Sequence, residues 1–319
     1  MRRRIFVSGA AASIAASAAP TTSVKAGNSP MRVFGKTGIK LTVIGQAGGR
    51  FPLCTREEAR TIARRAYDLG INYFDNARSY WNGQSEEVYG EALSSVRKHI
   101  FLTTKTVKRT RVEAEAELAA SLKALRTDYV DLWQIHSVSE MSDVEKIFAK
   151  GGAIEAFEAA KKAGRARFIG FTGHHDPHVH LAMLKAYQNY DTILMPLHAA
   201  DPHYLSFEKL VLPIAIERNL GIQAMKPFAN AKLLSVMSGR DCLQYTLSLP
   251  IHCAAIGCTT IGQLEDDVRI AQSLQALSAG QLDTLRQRAE RIKGPFTEDW
   301  KRNVEVRAGL DSRPEYIGG

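Results

Sequence analysis

The sequence predicts an α/β chain closed into a single (β/α)8 barrel of the TIM type, with a β-hairpin capping its bottom. Three observations predict it. Eight short apolar runs, at 42–45, 71–75, 100–105, 129–136, 167–171, 192–197, 222–226 and 253–257, alternate with amphipathic helical stretches. Most of these runs are continuously apolar, as strands of a parallel sheet covered on both faces are. No Gly-x-Gly-x-x-Gly turn follows the first strand, where a doubly wound open sheet ordinarily carries one.

From the N-terminus, residues 1–30 read as a leader and 31–319 as the barrel domain. Arg2, Arg3 and Arg4 precede IFVSGAAASIAASAA, and small residues follow at Ala16-Ser17-Ala18 and Val24-Lys25-Ala26, both suited to cleavage. The run is too short and too weakly apolar to span a bilayer, so stable membrane insertion is not expected. Arg3-Arg4-Ile5-Phe6-Val7 resembles the twin-arginine export consensus, with Arg2 standing where another polar residue is usual. Export to the periplasm by that machinery is the expected localisation. A cytoplasmic protein with a basic leader is the alternative.

MRVFGKTGIKLTVIG reads as two short strands around the turn Lys36-Thr37-Gly38. Helix starts carry capping boxes at Thr55 with Glu58, Thr110 with Glu113 and Ser142 with Glu145, whose side chains satisfy the first orphan amides. Asp176-Pro177 places a cap before a proline at the first helical position. Gly70, Gly164 and Gly221 are expected to end helices where positive φ is wanted.

The 319 residues, 45% hydrophobic and 24% charged, suit a soluble domain able to bury a core without disulfides or metals. The formal charge is +9, but the leader holds Arg2, Arg3, Arg4 and Lys25 and no acid. The remaining excess is scattered over helices of mixed sign such as REEARTIARR, which reads as solvated surface, so no nucleic-acid partner is expected. Cys54, Cys242, Cys253 and Cys258 show neither Cys-x-x-Cys nor zinc spacing. His174, His175, His178 and His180 are close in sequence, but a helix starting at Asp176-Pro177 separates the pairs. No shared metal centre is expected.

The chemistry sits at strand ends. Asp75 closes INYFD, Tyr80 follows in DNARSY, Lys105 closes IFLTTK and His136 closes YVDLWQIH. In a parallel barrel these ends meet on one rim, where catalytic groups are found. A free phenol has a pKa of about 10, and a neighbouring ammonium lowers it. Asp75 would keep Lys105 charged, and His136 could donate to a carbonyl oxygen without carrying full charge.

DNARSY, TTK and DLWQIH, in this order and spacing, resemble the aldo-keto reductase superfamily, as does the opening RVFGKTGIKLTVIGQAGG. The similarity covers residues 31–274. It implies a nicotinamide cofactor, NADPH or NADH, held in extended form at the rim. It implies that Tyr80 is the general acid, Lys105 lowers its pKa, Asp75 pairs with Lys105, and His136 orients the carbonyl.

The resemblance also places Gly48, Thr172, His174, Met195, Lys226, Gly257, Cys258, Thr259, Gln263 and Asp267 on the cofactor. Gly173 stands where the family often has Asn, and Met225 where it often stacks an aromatic ring. Lys226 is suited to the diphosphate, and the helix opened by GCTTIGQLEDD to an adenosine phosphate. Thr259 and Thr260 replace a common cation, which leaves NADPH against NADH open. Arg50, Phe51, Trp81 and His198 are expected to shape the substrate pocket. The expected reaction is reduction of an aldehyde or ketone to an alcohol, or the reverse. A nicotinamide-binding redox sensor or partner subunit is the alternative.

Overall fold

The structure, a computed structural model, describes residues 26–301. Residues 1–25, on which the export reading rests, lie outside the described residues. Packing begins ahead of the hairpin: Gly27 N–H donates to Leu69 O (3.1 Å), and Pro30 O accepts from Val43 N–H (2.9 Å).

Strands β1 (Met31–Val33) and β2 (Lys40–Thr42) form the antiparallel hairpin. Eight parallel strands close the barrel: β3 (Ile44–Ala47), β4 (Tyr73–Asp75), β5 (Phe101–Thr106), β6 (Val130–Ile135), β7 (Ala166–Thr172), β8 (Thr192–Pro196), β9 (Gly221–Met225) and β10 (Cys253–Ile256). β10 pairs back onto β3, so no edge is left open. Around them run α1 (Arg56–Asp68), α2 (Gln84–Leu93), α3 (Arg111–Leu125), α4 (Met141–Phe148), α5 (Ala153–Lys162), α6 (Pro177–Ala186), α7 (Phe207–Leu210), α8 (Leu212–Glu217), α9 (Gly239–Ser248), α10 (Ile261–Gln272) and α11 (Ala279–Glu290).

Two apolar layers result from the alternation of side chains across each strand. The outer layer, between barrel and helices, contains Ile62, Leu118, Trp133 and Phe157, with the Trp133 and Phe157 rings stacked 3.7 Å apart. The inner layer fills the barrel with Tyr73, Phe101, Leu132, Cys253 and Ala255. Phe34 and Leu41 of the hairpin region join it, and Phe34 meets Phe101 edge-on at 5.7 Å. Burying such a ring contributes roughly 1.5–3 kcal/mol. The hairpin therefore plugs the barrel bottom, as expected.

Several local expectations shift. The first barrel strand begins at Ile44 rather than 42, because Thr42 still pairs with Met31 in the hairpin. The Thr55–Glu58 capping box forms in full. Thr110 instead donates its hydroxyl to Glu113 (2.6 Å) and caps no amide. α4 starts at Met141, so Ser142 lies inside the helix. Gly70 and Gly164 have positive φ, but Gly221 does not; Asn219 takes that conformation instead. Gly221 opens β9, where a Cβ would stand 2.6 Å from the Phe34 ring. Its role is to admit the plug.

Candidate active site

Asp75, Lys105 and His136 come from three adjacent strands, β4, β5 and β6, and all are buried. The Lys105 ammonium donates to Asp75 Oδ2 (2.6 Å) and to Asn76 O (2.7 Å). Asp75 Oδ1 also accepts from Thr103 Oγ1 (3.1 Å) and Tyr73 OH (3.2 Å). Behind Tyr73, Gln223 donates from Nε2 to its hydroxyl (2.7 Å), while Gln223 Oε1 accepts from Gln134 Nε2 (3.0 Å). This chain of bonds crosses the barrel interior and satisfies both oxygens of the carboxylate, as a buried ion pair requires.

Tyr80 follows β4 on a loop whose backbone is tied to β5 through Arg78 N–H and Lys105 O (3.0 Å). It is half-buried, with the Lys105 ammonium 5.0 Å from its ring centroid. The Tyr80 and His136 rings meet edge-on, centroids 5.5 Å apart. Ser79 Oγ stands 3.2 Å from His136 Nδ1, and Arg109 donates to the carbonyls of His136 and Ser137 (2.9 and 3.0 Å). All four members of the tetrad thus gather at the C-terminal rim.

Electrostatics at the phenol are a balance in which Lys105 acts in the expected direction and burial outweighs it. Burial raises the Tyr80 phenol above its ordinary 10; the Lys105 ammonium opposes this, and the charge of Asp75 adds to it. Lys105 lowers the phenol relative to burial alone, but not below its ordinary value. The phenol is therefore loaded with its proton throughout the neutral range. Burial disfavours the charge on Lys105, yet Asp75 and Tyr80 outweigh it, and its pKa is raised. Burial, then the Lys105 and Arg109 cations, push His136 well below 6.5, so its ring is neutral near pH 7.

The other site residues divide. Thr172 is buried at the end of β7 and His174 is half-buried beside it. Between them Gly173 is dictated by space, since a Cβ would lie 2.3 Å from Val138 O. Gly48 is buried in the turn after β3, and Trp81 is half-buried beside Tyr80 with a φ of 50°. Gly257, Thr259 and Gln263 reach the surface, where Thr259 N–H donates to Gln263 Oε1 (2.9 Å). Lys226 is half-buried at the end of β9.

Five of the assigned side chains are turned into the protein rather than to an open rim. Met195 shares the helix-facing side of β8 with Ile193 and Leu197, in the outer layer. Phe51 is fully buried edge-on to Tyr89 and lines no open pocket. Cys258 and Asp267 face each other inside, with Sγ 3.5 Å from Oδ2. His198 is fully buried under the chain's last described residues, edge-on to Trp300 and 3.4 Å from Glu298. His178 is exposed beside Asp176 while His180 is buried against Phe171 and Phe207, so the four histidines do not converge.

Sequence reasoning missed Arg78, Ser79 and Glu86, which hold the Tyr80 loop, and Arg109 behind His136. Arg78 and Ser79 stand inside DNARSY itself, so their nearness to Tyr80 was the available signal. Two shallow depressions, one lined by Glu57, Arg60 and Glu91 and one by Leu122, Arg126 and Arg165, lie on the outer helices and include no tetrad residue.

The rim suits a dinucleotide. Arg50, Lys226 and Lys232 bring three cations to the ends of β3 and β9, near enough for Arg50 and Lys232 to act on Lys226. Glycines at 48 and 257 stand where added side chains would collide with Ser85 and Arg50. The Tyr80 phenol and the His136 imidazole meet at this rim, edge-on and 5.5 Å apart.

The profile of the aldo/keto reductase family matches residues 45–240, and the chain belongs to that family. It is 29% identical over 193 residues to the uncharacterized oxidoreductase YqkF of Bacillus subtilis, covering 56% of this chain and 58% of that protein. It is 30% identical over 156 residues to an L-galactose dehydrogenase of Arabidopsis thaliana, covering 45% and 48%. The chain thus spans about half the length of these curated relatives. A candidate voltage-gated potassium channel subunit beta of Schizosaccharomyces pombe is 28% identical over 240 residues, 68% of this chain and 67% of that protein. Among solved structures, the holo form of the aldo-keto reductase AKR11C1 from Bacillus halodurans superposes with a TM-score of 0.70 at 24% identity, covering 83% and 97%, a likeness of fold.

Proposed function

We propose that this chain is an NAD(P)H-dependent oxidoreductase that reduces an aldehyde or ketone to an alcohol, or runs the reverse. The observation that carries the reading is the Tyr80 phenol set beside the buried Lys105–Asp75 pair and edge-on to His136. When bound, the nicotinamide, as NADPH or NADH, supplies hydride to the carbonyl carbon.

The chain's own groups handle the oxygen. His136 orients the carbonyl by donating a hydrogen bond from its uncharged ring. Tyr80 delivers its proton to the oxygen as negative charge develops there. The Lys105 ammonium steadies the phenolate left behind, and Asp75 holds that ammonium in place. Such positioned acid catalysis contributes roughly 10²–10⁴-fold in rate. Thr172, His174, Lys226, Gly257, Thr259 and Gln263 lie along the rim where the cofactor would run.

The test is steady-state oxidation of NADPH and NADH with a panel of aldehydes and ketones. Tyr80→Phe should lose turnover by about 10²-fold or more, while NAD(P)H fluorescence titration stays near wild type. Full activity in Tyr80→Phe would overturn the mechanism.

A second reading, a nicotinamide-binding sensor or partner subunit, is favoured by the long match to the channel subunit candidate of S. pombe. Single slow cycles without steady turnover would select it. Export by residues 1–30 remains part of the proposal, on the motif Arg3-Arg4-Ile5-Phe6-Val7. Fusion of those residues to a reporter, with an Arg3→Lys, Arg4→Lys control, tests it.

A further inference from the structure

Tyr73 does more than fill space. It lies on β4 two places before Asp75, so both side chains point into the barrel, where they meet. A Cβ at Gly45 on β3 would stand 2.0 Å from Tyr73 Cδ1, so the neighbouring strand is bare where the ring passes. The ring belongs to the apolar layer of Phe34, Leu41, Phe101 and Leu132. Its hydroxyl is where a polar line crosses that layer.

The line runs one way. Gln134 donates from Nε2 to Gln223 Oε1 (3.0 Å), Gln223 from Nε2 to the Tyr73 hydroxyl (2.7 Å), and that hydroxyl to Asp75 Oδ1 (3.2 Å). Tyr73, Gln134 and Gln223 are fully buried. Because Gln223 donates to the Tyr73 oxygen, the one hydroxyl proton is committed to the carboxylate. Burial first, then the charge of Asp75, holds Tyr73 well above its ordinary 10, so it donates at every working pH. At the far end Gln134 Oε1 has no hydrogen-bond partner among the described residues. Apolar side chains would fill the same space without that cost. Stability alone does not account for a line that ends on the ion pair of the site.

We propose that Tyr73 is a positioning residue: backed by Gln223 and Gln134, it draws the charge of Asp75 toward Oδ1 and leaves the Lys105 ammonium, on Oδ2, freer to act on the Tyr80 phenol. Its part in catalysis rests on the proposed nicotinamide chemistry. After burial, Tyr80 feels Lys105, which lowers its pKa, and Asp75, which raises it. The other titratable groups packed here are uncharged: burial pushes Tyr89 of α2 and Cys253 of β10 well up, and His136 well down. Arg78 is paired with Glu86, and Arg109 with Asp143. A change in how the charge of Asp75 is held is therefore read at Tyr80.

The experiment is an ultraviolet difference titration of tyrosinate on the full chain. Each chain is read against the same chain carrying Tyr80→Phe, so that only Tyr80 contributes. Wild type, Tyr73→Phe, Gln223→Leu and the double variant are compared, with circular dichroism checking that each stays folded. Tyr73→Phe keeps the ring and should move the Tyr80 midpoint up by about half a pH unit or more, and Gln223→Leu by less in the same direction. Added to Tyr73→Phe, Gln223→Leu should shift nothing further, since a relay acts through its last member. With a carbonyl substrate, kcat of Tyr73→Phe should fall about threefold or more at unchanged KM and NAD(P)H affinity. An unmoved midpoint in Tyr73→Phe (or in Gln223→Leu, should the first not fold), additive shifts, or unchanged kcat in an active enzyme overturns the proposal. A moved midpoint in a chain that turns over no carbonyl leaves the relay standing and ends the oxidoreductase reading.

Discussion

Glu86 is wholly buried in the first turn of α2, and its Oε2 accepts from Arg78 Nη1 at 3.0 Å. Its other oxygen accepts from Thr104 Oγ1 at 2.5 Å, on the strand that carries Lys105. One carboxylate thus ties the residue two places before Tyr80 to the strand that supplies its partner. Trp81 and Asn82, just beyond, hold φ values of 50° and 52°. Each such non-glycine residue costs about 1–2 kcal/mol. The Tyr80 loop is held against that strain by the Arg78–Glu86 tie.

Glu86→Gln should therefore act on positioning. Arg78 keeps solvent access and can rehydrate, so the stability loss should be about 1–3 kcal/mol rather than the full cost of stranding a buried ion. Turnover should fall about tenfold, since small misplacement of an acid is expensive, while NAD(P)H affinity holds. Denaturant melts and single-turnover rates measure the two effects. Unchanged kcat would mean that the tie is structural only.

The raised Tyr80 pKa gives reduction and oxidation different pH profiles. Reduction needs the protonated phenol, which is present from neutral pH up to beyond 10. Its kcat/KM should be flat from pH 6 to about 9. Oxidation needs the phenolate, so its rate should climb about tenfold per pH unit across the same range. His136 adds no break near 6.5, because its pKa lies well below that. Profiles in both directions, on one substrate pair, check the sign. A reduction rate falling above pH 7 would show that the phenol is acidified after all.

Lys226 predicts a separate break in cofactor binding. Burial and its cationic neighbours hold it to about 8, below the ordinary 10.5. It carries charge below that value and loses it above. NAD(P)H dissociation constants should be level below pH 8 and rise about tenfold per unit just above it, until the bound form also deprotonates. Lys226→Arg, which stays charged, should remove the break. A titration flat to pH 10 in wild type would separate Lys226 from the phosphates.

The tetrad was legible because a residue closing a strand of a parallel barrel must lie at one rim, whichever neighbours surround it. The inward or outward sense of a mid-strand residue was not. Barrel strands are apolar on both faces, so Met195 in TILMP carries no mark of which layer it joins. The burial of Cys258 was hidden for a similar reason: exposed Gly257 and buried Cys258 are consecutive residues. His198 was misread because its cover, Glu298 and Trp300, lies 100 residues away in sequence or more. In sequence, nothing separates Glu86 from any other acid near a helix N-terminus. Its burial became visible only with Thr104 and Arg78 in place.

Asp267 supplies a stability prediction that also tests its removal from the cofactor set. Burial lifts its carboxyl to about 7; the bond from Cys258 opposes this and Asp266 adds to it. A carboxyl raised in the folded chain above its unfolded value of 3.8 favours folding while protonated. That contribution is full below 3.8 and is lost as pH rises through 7. Asp267→Asn deletes the titration while keeping shape. Relative to wild type, the variant should gain stability between pH 4 and pH 8, by about 1–4 kcal/mol at the upper end. Because the side chain faces Cys258 inside, NADH and NADPH affinities should stay within about twofold, far below the tenfold that accompanies 1.4 kcal/mol. Denaturant melts at both pH values and cofactor titrations check the two halves. A pH-independent difference would remove the buried-charge account, and a large loss of cofactor affinity would return Asp267 to the binding site.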